Sequence, residues 1–226
     1  MLLEEARWLG RHLRSLNVND ISPLCNIGSS SEEYRRVDQP YIDTEIFAPA
    51  QQRGIAVLHV DAKPEPGVDL VGDLTDPTFL AELARRKFNS AMCCNLLEHV
   101  TDRPIICNAI MSMLPPGGYV IVTVPNSFPY HEDPIDTMFR PNVAEVAALF
   151  PDASIVSASI VRASRFKFDM YGNWGALFWL LVRCAVPFYR PERWIVAVRR
   201  VGELIAGYKV TCAILRKTTT DRAAAI

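Results

Sequence analysis

The stretch of the chain that most constrains the fold covers residues 88–141. It opens with a short apolar run at 91–94, and a segment follows in which isoleucine and leucine recur at the spacing of one helical face. Residues 115–118, Pro-Pro-Gly-Gly, then end the helix, because proline cannot continue it and glycine tolerates positive φ. The apolar, β-rich run 119–124 is typical of a strand that is covered on both faces. The stretch therefore predicts a βαβ unit.

Polar residues follow both predicted strands of this unit. Asn95 begins the segment after the first strand, and residues 126–136 follow the second. Ligands of open α/β sheets bind beyond the carboxyl ends of the strands, so we expect the chemistry of this chain at these two segments.

The rest of the sequence extends the unit into a larger α/β sheet, in which strands and helices alternate. Apolar residues at alternating spacings of four and three predict an amphipathic helix over residues 2–16. The remaining patterns predict strands at 21–27, 55–60, 68–76 (with the exit loop), 153–161 and 208–216, and helices at 43–52, 77–87 and 142–150.

Composition narrows the class of protein. The chain has 226 residues, half of them apolar, and a formal net charge of −1, so we expect one domain over 1–217 and no nucleic-acid partner. Its six cysteines form no Cys-x-x-Cys pair and are expected to be buried thiols. The first helix does not read as a signal peptide, which predicts a cytoplasmic protein. The polar end, 218–226, is expected to fray.

Three motifs follow one another along the chain: residues 94–100 (CNLLEHV), 114–118 (LPPGG) and 122–126 (VTVPN). Together they resemble the second half of the class I S-adenosylmethionine-dependent methyltransferases. Residues 130–136 (YHEDPID) resemble a branch of that family often found beside polysaccharide-biosynthesis enzymes. The resemblance covers roughly residues 20–160 and implies a doubly wound, Rossmann-like, seven-stranded sheet with an antiparallel final strand, methyl transfer, and S-adenosyl-L-methionine as cofactor.

The resemblance places the first part of the cofactor site after the first predicted strand. Gly28 and Ser29 stand where the family carries a glycine-rich loop whose N–H groups bind the methionine carboxylate. Asn26 occupies the position of the usual acidic residue. Here the chain departs from the family, because only one glycine of the usual Gly-x-Gly-x-Gly remains. An ordinary strand-to-helix turn explains one glycine equally well.

The remaining cofactor residues are also expected at strand ends. Asp61 is predicted to bind the ribose hydroxyls, or else to make an Asx-turn into residues 62–64. By resemblance, Asp73 would bind the adenine amino group and Leu74 would cover the ring. Asn95 and Leu96 complete the expected site at the end of the fourth strand.

Catalytic candidates follow the fifth predicted strand, where the acceptor is expected. A hydroxyl acceptor must lose a proton, and histidine is the residue type most often used as a base at physiological pH, so His131 is the preferred base. Asp133 or Asp136 would orient its ring. In the alternative, the aspartates only build a rigid loop, with Arg140 paired to Asp136. His99 is expected to have a structural or cofactor-side role.

Residues 162–207 separate the last two predicted strands and form a helical insertion. Its apolar run is interrupted by Arg183 and Pro187, which argues against a membrane span. Aromatic and basic residues in 172–206 are consistent with a peripheral membrane contact, a homodimer face, or a lid over the core.

Three functions are compatible with these features. The first is a methyltransferase that O-methylates a small molecule, a sugar or a lipid-linked glycan. The second is a non-catalytic binding protein of the same fold, suggested by the reduced glycine loop. The third, a nicotinamide-dependent oxidoreductase, is disfavoured because the sequence contains neither Gly-x-Gly-x-x-Gly nor Tyr-x-x-x-Lys.

Overall fold

A seven-stranded mixed sheet forms the centre of the molecule. The computed structural model describes residues 1–131, 135–163, 174–187 and 190–218. The strand order is β3-β2-β1-β4-β5-β7-β6. Strands β1 to β5 are parallel, and β7 runs antiparallel to both β5 and β6. The predicted doubly wound sheet with an antiparallel final strand is therefore confirmed. The strands are β1 Leu24–Ile27, β2 Val57–Asp61, β3 Leu70–Val71, β4 Ser90–Cys94, β5 Tyr119–Ser127, β6 Ala153–Ala163 and β7 Tyr208–Lys217.

Helical segments connect and cover the strands. The α-helices are α1 Leu3–Ser15, α2 Val18–Ile21, α3 Ala48–Gln52, α4 Pro77–Arg85, α5 Arg103–Ser112, α6 Val143–Ala148, α7 Trp174–Ala185 and α8 Pro191–Ala206. Two π-helical turns, Tyr34–Asp38 and Asp43–Phe47, and a 3-10 turn at Leu97–His99 complete the description.

Side-chain caps fix where several helices start. Asp76 accepts a hydrogen bond from the N–H of Thr78 at the start of α4, which confirms its predicted capping role. Asp102 caps α5 in the same way. Asn142 forms a capping box with Glu145 at α6.

Two apolar layers cover the sheet. On one face, α4 and α5 bury Leu83 and Ile110 against β4 and β5. On the other face, α1 buries Ala6 and Leu9 together with Phe47. Because β4 and β5 are covered on both sides, their sequences read as continuous apolar runs, and the coverage predicted for residues 119–124 is confirmed.

Two predicted strands differ from the structure. The strand predicted over 21–27 begins only at Leu24, because Asn17 caps the short helix α2 and Ile21 ends that helix. The third strand, predicted within 68–76 together with its exit loop, is present and spans only Leu70–Val71.

The insertion before β7 contains α7 and α8, and residues 164–173 and 188–189 within it lie outside the described part. Within the part of the chain that the structure describes, no helix is both long enough and apolar enough to span a membrane.

Candidate functional site

The carboxyl ends of β1, β2 and β4 lie at one level, at the point where the chain order of the sheet reverses. Ile27 of β1 pairs with Val60 of β2 and with Cys93 of β4. The residues that follow, among them Gly28 and Asp61, therefore emerge side by side. Ligand sites of doubly wound folds occur at this kind of edge.

A tight loop leaves β1 at this edge. Gly28 has φ +67°, in the left-handed region that favours glycine, and an added Cβ atom there would lie 3.3 Å from Cδ1 of Leu96. The loop is fixed by its own backbone: the N–H of Ser29 donates to the Val60 carbonyl (3.1 Å), and that of Ser30 donates to Oδ2 of Asp61 (2.8 Å). Gly28, Ser29, Asp61 and Leu96 thus lie close together, and their cofactor roles stay predictions.

Arg35 fixes this loop through hydrogen bonds to its carbonyl groups, a role that sequence reasoning missed. Its buried guanidinium donates to the carbonyls of Ser29 (2.9 Å), Ser30 (2.5 Å) and Gly67 (2.7 Å). The N–H of Glu32 also donates to the Pro66 carbonyl (2.8 Å), so the segment after β2 closes against the segment after β1.

Asp61 has the position expected of a ribose ligand and also makes the alternative Asx-turn. Its Oδ1 accepts from the N–H of Lys63 at 3.0 Å, while Oδ2 accepts from Ser30. A carboxylate offers about four acceptor positions, so two remain for a ligand.

Three other predicted cofactor residues make protein contacts. The amide of Asn26 bonds Nδ1 of His59 at 3.0 Å. Asp73 accepts from the N–H of Thr75 at 2.8 Å, and Leu74 is buried in the core. The structure does not place these three side chains beside the cavity described next, and their cofactor roles stay predictions.

A cavity of about 200 Å³ opens beyond the carboxyl ends of β4 and β5. It lies between the start of α1, the turn after β4 and the loop after β5. Asn95 and His131 are the predicted site residues that line it. The full lining is Met1, Leu2, Glu5, Tyr34, Gln39, Asn95, Glu98, His99, Pro125, Phe128, His131 and Val210.

Glu5 links α1 to the sheet at the wall of this cavity. Its fully buried carboxylate accepts hydrogen bonds from Nδ2 of Asn95 (2.8 Å), Oγ1 of Thr123 (2.6 Å) and the N–H of Leu2 (2.9 Å). The side chain of Asn95 is therefore held by α1. Sequence reasoning missed this role, although Glu5 lies three residues after Leu2 and four before Leu9, within the apolar face of the helix.

Glu98 is the most unusual group at the cavity. It is completely buried, and neither carboxylate oxygen has a hydrogen-bond partner among the described residues. Burial raises the pKa of Glu98 to about 8. Nε2 of His99 lies 3.8 Å from its Oε1. The 3-10 turn Leu97–His99 places both side chains on the cavity side of β4.

His131 enters the cavity from the loop after β5. Its ring packs edge-to-face against His99, with centroids 5.1 Å apart, and against Phe128. Nδ1 lies 3.2 Å from Oδ2 of Asp136, although the geometry there does not form a hydrogen bond. Asp133 lies outside the described residues.

Asp136 organises the His131 loop. It accepts hydrogen bonds from the guanidinium of Arg140 and from the backbone N–H groups of His131 (3.1 Å) and Met138 (2.8 Å). Burial alone would raise the pKa of Asp136, but these hydrogen bonds outweigh it and hold the pKa below its usual range. The predicted contact with His131 and the alternative pairing with Arg140 are thus both present.

Comparisons with known proteins identify the fold. No family model matches the chain, and no curated protein matches its sequence. Solved structures do match. The StiE O-MT is 14% identical, with 96% of this chain and 75% of that one covered and a TM-score of 0.55. A SAM-dependent methyltransferase from Archaeoglobus fulgidus is 11% identical, with 94% of each chain covered and a TM-score of 0.51.

A third match is a solved complex. Burkholderia thailandensis 1,6-didemethyltoxoflavin-N1-methyltransferase, with bound 1,6-didemethyltoxoflavin and S-adenosylhomocysteine, is 15% identical. The match covers 95% of this chain and 78% of that one, with a TM-score of 0.50. At these identities, the likeness establishes the fold of the chain.

Proposed function

We propose that this chain, which has the fold of the class I S-adenosylmethionine-dependent methyltransferases, transfers a methyl group from S-adenosyl-L-methionine to an oxygen of an acceptor. The observation that carries the proposal is the cavity at the carboxyl edge of β4 and β5, which combines buried carboxylates with His131. The acceptor class is a small molecule, a sugar or a lipid-linked glycan.

The residues at this edge suit the cofactor. Asp61 keeps two acceptor positions for ribose hydroxyls. The cavity is lined by the polar side chains of Glu5, Tyr34, Gln39 and Asn95, which offer hydrogen-bonding groups to a polar cofactor. S-adenosyl-L-methionine supplies a methyl group already activated on a sulfonium. Gly28, Ser29, Asn26, Asp73, Leu74, Asn95 and Leu96 remain the other proposed contacts.

Proton removal from the acceptor is assigned to His131. The anionic Asp136 lies close to Nδ1 and favours a proton on that nitrogen, which leaves Nε2 with the lone pair that a base needs. The edge-to-face contacts with His99 and Phe128 hold the ring in place. Asp136 acts through His131 as a positioning residue, and Asp133 keeps its proposed role from the sequence.

A specific observation favours a second candidate, a non-catalytic binding protein. The N–H groups of Ser29, Ser30 and Glu32, which a nucleotide cofactor would otherwise use, already have protein partners. Arg35 further fixes this loop.

Calorimetric titration with S-adenosyl-L-methionine separates the two candidates. We expect saturable binding, and we expect Asp61→Ala to weaken it by about 1–3 kcal/mol, because the ribose would lose its acceptor. Asp20→Ala, an exposed carboxylate before the amino end of β1, is the matched control and should bind like the wild type. Absence of binding by the folded wild type would favour the non-catalytic protein. Unchanged affinity in a folded Asp61→Ala variant would refute the ribose assignment.

A further inference from the structure

Three potential metal ligands meet at the floor of the cavity. Glu98 and His99 come from the turn after β4, and His131 comes from the loop after β5. One carboxylate oxygen and one nitrogen from each ring lie within 4.8 Å of one another. Residues from two separate loops are thereby brought to one point.

Glu98 is the member of the cluster whose side chain is buried without any hydrogen bond to a described residue. Both of its oxygens are buried and lack hydrogen bonds within the described chain, yet the residue lines the cavity. Native proteins rarely leave a buried carboxyl group unsatisfied, and such a group points to a bound ion or another bound partner. The carboxylate oxygens of Glu98 could therefore coordinate an ion that enters through the cavity.

His99 is hydrogen-bonded as metal-ligating histidines usually are, and His131 has a carboxylate close to its ring. Nδ1 of His99 lies 2.5 Å from the carbonyl oxygen of Ile135, so Nδ1 carries the proton and Nε2 keeps its lone pair near Glu98. Asp136, itself held by Arg140, lies beside Nδ1 of His131. A carboxylate or carbonyl behind the imidazole fixes the tautomer and raises the basicity of the coordinating nitrogen.

We propose that Glu98, His99 and His131 bind one divalent transition-metal ion, and that the bound ion takes up the lone pair that His131 would otherwise use as a base. Two imidazoles and a carboxylate favour Zn²⁺, Co²⁺ or Fe²⁺ over Mg²⁺ or Ca²⁺, which prefer oxygen ligands. Three protein ligands leave a coordination position open toward the cavity. Bonds of about 2.1 Å set tetrahedral ligands roughly 3.4 Å apart, so the side chains close in by about 1 Å on binding.

Cobalt binding to untagged protein tests the site, with Co²⁺ added to the chain in the absence of S-adenosyl-L-methionine. We expect one ion per chain and the weak visible absorption of nitrogen and oxygen ligands. Intense near-ultraviolet absorption would instead indicate thiolate ligands and overturn the proposal, since six free cysteines are present. Failure to bind either Co²⁺ or Zn²⁺ would also overturn it.

Matched variants assign the ligands. Glu98→Gln keeps the shape of the side chain but weakens its donor, and His99→Ala removes a nitrogen, so each should lower Co²⁺ affinity at least about tenfold. His12→Ala is the control, because His12 packs on Trp8 away from the cluster. Folding is checked by circular dichroism without metal. Wild-type affinity in either folded ligand variant contradicts the site. Because the readout needs no methyl transfer, it stands or fails separately from the proposed function.

Discussion

His131 illustrates how a single loop prepares one side chain for chemistry. Its backbone N–H and its ring both face Asp136, which Arg140 holds in place. We expect His131→Ala to lower the rate of methyl transfer by roughly 10²–10⁴-fold, because a positioned base contributes about that much. Affinity for S-adenosyl-L-methionine should stay nearly constant, and single-turnover kinetics with calorimetry measure the two effects separately.

The control for this variant is His12→Ala, which should keep full activity. Repeating the assay with a metal chelator distinguishes the two roles of His131. A base acting alone is indifferent to chelation, whereas a metal ligand is not. Full activity of His131→Ala on a hydroxyl acceptor, or loss of its cofactor binding, would contradict the assignment as a base.

His59, which does not line the cavity, gives the protein a pH-dependent stability. Burial, followed by the positive charge of Arg35, lowers its pKa from 6.5 to about 4, although Asp69 opposes this shift and Arg36 and Asp43 contribute with opposite signs. Between those pH values the unfolded chain binds a proton and the folded chain does not. The free energy of unfolding is therefore fully present above pH 6.5 and falls as the pH drops toward 4.

Urea unfolding of the wild type and of His59→Gln measures this effect. Glutamine can still pair with Asn26 but does not titrate. We expect the stability difference between the two proteins to shift by on the order of 2 kcal/mol, against the wild type, between pH 7.5 and about 4.5. Equal slopes in the two proteins would show that His59 does not carry the effect.

At the scale of elements, the βαβ unit was predictable because its signals are local. The apolar run of β4, the helical spacing of α5 and the Pro-Pro-Gly-Gly turn each specify structure within a few residues. Capping by Asp76 was predictable for the same reason. The closeness of Gly28 and Asp61 was also predictable from the sequence, because each residue follows one of two neighbouring parallel strands whose carboxyl ends are aligned.

The limits of β1 and β3 were predicted less well, because contacts with distant parts of the chain determine where these strands begin and end. Ile21 has the character of a strand residue but is buried at the end of α2. The strand predicted within 68–76 is present but only two residues long, since the N–H and the carboxylate of Asp69 bond to the main chain of His59 in β2 just before it begins.

The parts of the site that the sequence did not reveal depend on distant partners. Glu5 binds Thr123, 118 positions away, and Arg35 binds Gly67 across two segments. The unsatisfied state of Glu98 is likewise visible only once the cavity around it is known. Such relations leave no periodic pattern in the chain, although a glutamate within the apolar face of α1 was a usable signal.

At the scale of the whole molecule, α7 and α8 carry apolar side chains into solvent. Phe178, Trp179 and Ile195 are each more than 60% exposed. The helices contact each other through Trp194, whose Nε1 donates to the Cys184 carbonyl at 2.9 Å. Exposed apolar side chains in such numbers indicate a surface that binds a membrane or another protein. Arg190 and Arg193, which are exposed near the start of α8, favour an anionic lipid surface as the binding partner.

We therefore expect salt-sensitive association with vesicles containing anionic lipid, because attraction to the head groups weakens as the Debye length shortens. Phe178→Ala with Trp179→Ala should reduce co-sedimentation. Val37→Ala with Ile105→Ala, which removes exposed apolar side chains elsewhere, should not. A wild-type protein that stays in the supernatant at low salt contradicts membrane contact. If the same protein sediments as a dimer that the first double variant dissociates, the binding partner is a second copy of the chain.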